Sequence, residues 1–173
     1  MWLRDRSPVP IAAGENESGR HEFQPWIDNH ALASPTHPMA GHVPRACAPV
    51  HLGTSDRGDA CPQDFFQVDL GKCGITDGIA IRKRVEDAGH IIINHCYKTP
   101  ISIAACLHWL STAPSAVIFE DCVEESPLRN ELVDQRVQAG ADGLIAAPEG
   151  PGLGITINEE VVKSLLVAES GWS

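Results

Sequence analysis

Four short apolar runs in this sequence end on a side chain that can move a proton or hold a metal: VPIAAGE at Glu15, FFQVD at Asp69, HIIINH at His95 and AVIFE at Glu120. An Asp beside a His on the next strand can accept the ring N–H, fix the tautomer and raise the basicity of the other nitrogen, which makes a general base. A Glu on a more distant strand can ligate a hard cation such as Mg²⁺ through oxygen. Base and cation together are the equipment for removing a weakly acidic proton next to a carboxylate, because the cation stabilises the enediolate that forms. A single strand-end Asp commonly does no more than cap the following loop. Four such residues in register on consecutive strands fit a site better than they fit capping.

The elements that must position them are legible as well. Runs of this length, rich in Val and Ile and without polar alternation, predict strands buried on both faces of a parallel sheet, and α/β folds place their chemistry at the C-terminal strand ends. Asp69 and His95 are 26 positions apart and His95 and Glu120 are 25 apart, about one strand, loop, helix and return loop. Glu15 and Asp69 are separated by 54 positions. The extra length falls in 29–64, rich in Pro, Gly, His and Ser and without periodicity, which predicts a long irregular insertion. His30, His37, His42, Cys47, His51 and Cys61 lie in it at spacings that fit none of the familiar zinc fingers, so the segment reads as disordered loop.

Between the strands, Glu17–Asp28 predicts a short or broken helix because of Pro25. Thr76 is placed to cap a helix that Gly89 ends, and Pro100 opens a helix apolar almost all round, hence buried. After Glu120, VQAGADGLIAAP reads as a turn between extended pieces, and Asn158 caps a last amphipathic helix.

The 173 residues make one domain by length, enough to bury a core. The formal charge of -10 excludes nucleic acid as an expected partner. No run approaches the ~20 apolar residues of a membrane span, and no signal-peptide pattern opens the sequence. Six scattered cysteines without a CxxC pair suit reduced thiols in a cytoplasmic protein.

PIAAGEN, QVDLGKCGIT, NHCYKTPISIAA, FEDCVEESPLR and PEGPGLGI, in this order, resemble the C-terminal part of the mandelate racemase and muconate lactonizing enzyme group of the enolase superfamily. The resemblance covers about residues 2–28 and 65–166. It implies an α/β fold, the C-terminal half of an enolase-type (β/α)₇β TIM barrel, incomplete and carrying a long irregular insertion. Residues 1–28 would be a partial barrel (strand 5 and the start of its helix), 29–64 the insertion and 65–135 strands 6–8. Residues 136–173 would form a tail that contacts a capping domain. It further implies Glu15 as a Mg²⁺ carboxylate, Asp69 and His95 as the dyad that acts as general base or acid, and Glu120 as a last-strand partner of the substrate. The implied substrate is a small carboxylate such as a sugar acid, losing its α-proton and then water, or being reprotonated. HCYKTP and CVEESPLR look more like the sugar-acid dehydratase side of the group than the lactonizing side.

Two departures qualify these expectations. Family members usually carry two glycines where this chain has Gly74 alone between Cys73 and Ile75. The family's capping domain, its first four barrel strands, two of its metal carboxylates and its lysine-bearing second strand have no counterpart in these residues. A closed barrel takes ~250 residues, so the chain alone is expected to leave open sheet edges that favour self-association and to show little or no activity. The contrasting expectation is a non-catalytic half-barrel that works, if at all, with a partner chain. Matching sequence stops near Asp28 and resumes near Phe65, so the insertion reads as foreign to the fold, as translated non-coding sequence would be.

Overall fold

The computed structural model describes residues 11–28, 65–135 and 137–167. The insertion expected over 29–64, with its His and Cys residues, lies outside them, as do residues 1–10 and 168–173. The described elements run β1 (Ala12–Ala13), α1 (Arg20–Asp28), β2 (Phe65–Val68), α2 (Leu70–Asp87), β3 (Ile91–Asn94), α3 (Pro100–Leu110), α4 (Pro127–Asn130) and α5 (Glu159–Ser164).

The three strands form one sheet in the order β1-β2-β3. Both pairings are parallel, with Ala12 opposite Phe65 and Val68 opposite Asn94. All four residues of β3 are buried, as a strand covered on both faces requires. In β2 burial alternates instead, with Phe66 and Val68 fully buried and Gln67 less so. Phe66 and Val68 join Phe23 and Ile27 of α1, Ile81 and Val85 of α2, and Ile103, Leu107 and Leu110 of α3 in one core. This is an open parallel sheet with helices against it, the expected partial barrel.

The fourth apolar run is not a regular strand. Residues 116–120 carry no ladder, yet they run beside β3. The backbone N–H of Ile92 donates to Ser115 Oγ at 3.3 Å, and the fully buried Asn94 holds Glu120 from both sides. Asn94 Nδ2 donates to the Glu120 carbonyl at 2.8 Å, and the Glu120 N–H donates to Asn94 Oδ1 at 2.9 Å. An amide side chain thus replaces a rung of the ladder. Asn94→Ala would strip both bonds and leave Glu120's backbone groups short of partners. Unfolding in urea should show a loss of about 1–3 kcal/mol, read as a lower midpoint at unchanged slope.

One helix expectation changes. Thr76 is not the cap of α2: the helix begins at Leu70 under Asp69, and a kink at Gly74 (φ 73°, ψ 164°) separates its first turn from the rest. Gly74 is the lone glycine that stands where family members usually carry two, and its positive φ lets the chain turn without a Cβ penalty. Helix α1 is short, as expected from Pro25: nine residues that run through the proline. Its stability comes from tertiary packing of buried Phe23 and Ile27 rather than from propensity. Gly89 (φ 82°) follows α2, Pro100 opens α3 and Asn158 caps α5 as expected. The tail turns back on itself through an antiparallel bridge between Val133 and Ile157.

Candidate active site

The C-terminal ends of β1, β2 and β3 and the end of the 116–120 run bring Glu15, Gln67, His95 and Glu120 together. Gly14, which precedes Glu15, has φ 117°, and a Cβ there would lie 2.7 Å from the Phe23 ring. Only glycine lets β1 turn over α1 at this point and deliver the carboxylate. The His95 N–H donates to the Val68 carbonyl at 3.0 Å, extending the β2–β3 register by one step. Its Nδ1 faces Glu120 Oε2 at 3.3 Å and Glu15 Oε2 at 3.5 Å. Gln67 Nε2 donates to Glu120 Oε2 at 2.9 Å. The imidazole and the Glu120 carboxylate are about one-fifth exposed, whereas Glu15 is 44% exposed.

Asp69 takes other partners. One of its oxygens accepts the Gly71 N–H at 2.7 Å and so caps α2. The other forms an ion pair with Lys98. Among the described residues no hydrogen bond joins Asp69 to His95, although the register sets them at neighbouring strand ends. Lys98, which follows the histidine by three residues, is the side chain that pairs with the Asp69 carboxylate here. Three of the four predicted site residues converge, and the fourth sits alongside as a buried cap.

Sequence reasoning missed Gln67, Asn94, Tyr97 and Lys98. Gln67 is the one polar position inside the FFQV run, a signal that could have been read as a side chain facing the strand-end cluster. Tyr97 packs its ring on His95, with centroids 4.8 Å apart. Its phenol is pushed above the ordinary value by the hydrogen bond to Glu120 and that group's charge. Cys73, near the mouth, is pushed up to about 11 by burial, so it is a neutral thiol at pH 7 and a poor nucleophile. Cys73, Cys96, Cys106 and Cys122 are all free.

The donors present do not fit a Mg²⁺ site by themselves. That ion demands near-octahedral oxygen coordination with carboxylates, and among the described residues no group of three His, Cys, Asp or Glu side chains could hold a metal. Glu15 offers one such carboxylate, and its oxygen is directed at the His95 ring. Among the same residues, no helix is long and apolar enough to cross a membrane.

Comparison with known proteins shows the family. Residues 59–161 match the family described as enolase C-terminal domain-like. The D-galactonate dehydratase of Xanthomonas campestris pv. campestris is 34% identical over 161 residues, covering 90% of this chain and 34% of that protein. A member of the enolase superfamily from Polaromonas sp. superposes with a TM-score of 0.69 at 29% identity, covering 95% of this chain and 36% of the other. A mandelate racemase/muconate lactonizing enzyme from Sulfitobacter sp. shares the fold with a TM-score of 0.67 at 24% identity, covering 95% and 33%. The chain spans about a third of the length of the curated relative it matches.

Proposed function

The chain belongs to the enolase C-terminal domain-like family, and from that premise we propose that it is the acid–base third of an enzyme that removes the α-proton of a sugar acid and expels water. The observation that carries this reading is the convergence of Glu15 and His95, just past two parallel strands, with Glu120, at the end of the irregular run beside β3; such folds put their chemistry at this end of the sheet. The similarity to a protein named D-galactonate dehydratase favours dehydration over racemisation and a hexonate-like substrate.

In this reading His95 moves the proton. With Nδ1–H donated to Glu120, the neutral ring keeps Nε2 as the basic nitrogen. Glu120, fixed by Gln67 and Asn94, orients the ring and meets the substrate side. Tyr97 limits how the imidazole can tilt. Glu15 would contribute one carboxylate to a Mg²⁺ site of the assembled enzyme, where the ion would stabilise the enediolate. The described residues do not complete that site, so the chain alone should be inactive or nearly so.

The test is to complete the chain with the remaining barrel and cap of a close relative and incubate it with a panel of aldonates and aldarates in D₂O. Deuterium at the α-carbon, or a 2-keto-3-deoxy acid as product, is the expected result. Neither appearing with any sugar acid would overturn the assignment. The second reading, a non-catalytic half-barrel, predicts that negative outcome together with a stable complex between this chain and a partner.

A further inference from the structure

The strand that leads to Glu15 is the shortest of the three. Its ladder with β2 ends at Ala13, opposite Phe66, so the main chain beyond it must find hydrogen-bond partners elsewhere. The Glu17 N–H donates to the Gly14 carbonyl at 3.1 Å and closes a turn. The Glu15 carbonyl accepts from Lys72 Nζ at 2.9 Å, and the same ammonium group donates to Asn16 Oδ1 at 3.1 Å. Lys72 acts from a fixed base. It lies in the first turn of α2, which Asp69 caps through the Gly71 N–H, and the Lys72 and Cys73 N–H groups both donate to the Asp69 carbonyl, at 3.0 and 3.1 Å. An exposed lysine contributes little as one flexible partner of a carboxylate. Here its acceptors are neutral and belong to adjacent residues, so an ammonium group with three donors clamps a turn. Among the described residues Lys72 makes no ion pair with a carboxylate, and the Glu15 carboxylate faces His95 Nδ1 at 3.5 Å. The lysine thus holds Glu15 by its main chain and leaves its charge to the site.

We propose that Lys72 is a positioning residue of this site: by holding the Glu15 carbonyl and the Asn16 side chain it fixes the turn after β1, and with it the place of the Glu15 carboxylate. The proposal rests on reading Glu15 as a carboxylate of the site, but not on any particular substrate. Its consequence is that two carboxylates of the site are fixed independently. Glu120 is held by Gln67 of β2 and Asn94 of β3, and Glu15 by a lysine of α2. Loss of Lys72 therefore loosens Glu15 and leaves Glu120 in place.

The full 173-residue chain, labelled with ¹⁵N and with ¹³C in its glutamate side chains, provides the test at one fixed pH. The carboxyl ¹³C signals of Glu15 and Glu120 are identified by their loss in Glu15→Gln and Glu120→Gln. Backbone order parameters at Glu15 and Asn16 should be about 0.85 in the parent chain, the value of rigid backbone, and Lys72→Met should lower them toward the ~0.6 of a flexible segment. The same variant should move the Glu15 carboxyl signal and leave that of Glu120 in place. Lys72→Arg, which keeps a charged donor within reach, should hold the parent values. The proposal is overturned if, in folded Lys72→Met, either the order parameters or the Glu15 signal fails to respond. It is overturned as well if the Glu120 signal moves as far as that of Glu15, since the effect would then be on the whole fold. Should Lys72→Met fail to fold, Asn16→Ala, which removes one of the two acceptors, decides: a displaced Glu15 signal supports the clamp and an unmoved one overturns it. The readout needs no turnover, so a failure of the dehydratase assignment and a failure of this one are seen separately.

Discussion

His95→Asn in the completed enzyme is expected to lower turnover of the sugar acid by about 10²–10⁴-fold, the usual contribution of a positioned general base. Asparagine keeps an amide donor near Glu120 but has no nitrogen that can cycle a proton, so the loss should fall on kcat rather than on KM. Far-UV circular dichroism should be unchanged, because the His95 backbone N–H bond to Val68 survives the substitution. Steady-state kinetics of the two proteins on the same acid settle the matter. Undiminished kcat would remove His95 from the mechanism and shift attention to the Lys98–Asp69 pair.

Phe66→Ala should give the largest stability effect in the described chain. Phe66 is 0% exposed and lies between the Phe23 ring, 6.5 Å away, and the His90 ring, 5.3 Å away. Truncating such a side chain costs about 3–5 kcal/mol, from lost transfer energy and the cavity left behind. Domains of this size are stable by only about 5–15 kcal/mol, so much of the margin would go. Urea unfolding monitored by tryptophan fluorescence should show the midpoint fall accordingly. Phe66→Leu, which refills most of the space, should recover most of the loss. A midpoint unchanged in Phe66→Ala would mean that α1 does not dock on β2 as described.

Much of this arrangement could be read from residue order, and the reasons are local. IIIN carries four consecutive buried positions, and no amphipathic alternative explains such a run. Pro100 and Asn158 mark helix starts by their chemistry, and the structure honours both. What escaped depended on which polar groups would meet. By its position Asp69 could be assigned to a histidine or to capping the following loop; it caps a helix instead, and its second oxygen pairs with Lys98 from a neighbouring loop. The apolar pattern of AVIFE suggests a fourth strand, but it cannot reveal that Asn94 would supply the hydrogen bonds a ladder normally supplies. Pro25 argued for a short or broken helix, and α1 is short: nine residues that run through the proline, held by the burial of Phe23 and Ile27.

Glu120 is stapled twice, through its main chain by Asn94 of β3 and through its carboxylate by Gln67 of β2. Neither anchor involves a residue that follows Glu120 in the chain. Val123, 88% exposed, and Leu128, 49% exposed, lie just beyond that anchor. A change at either alters what is presented to solvent and touches none of the three hydrogen bonds that hold Glu120.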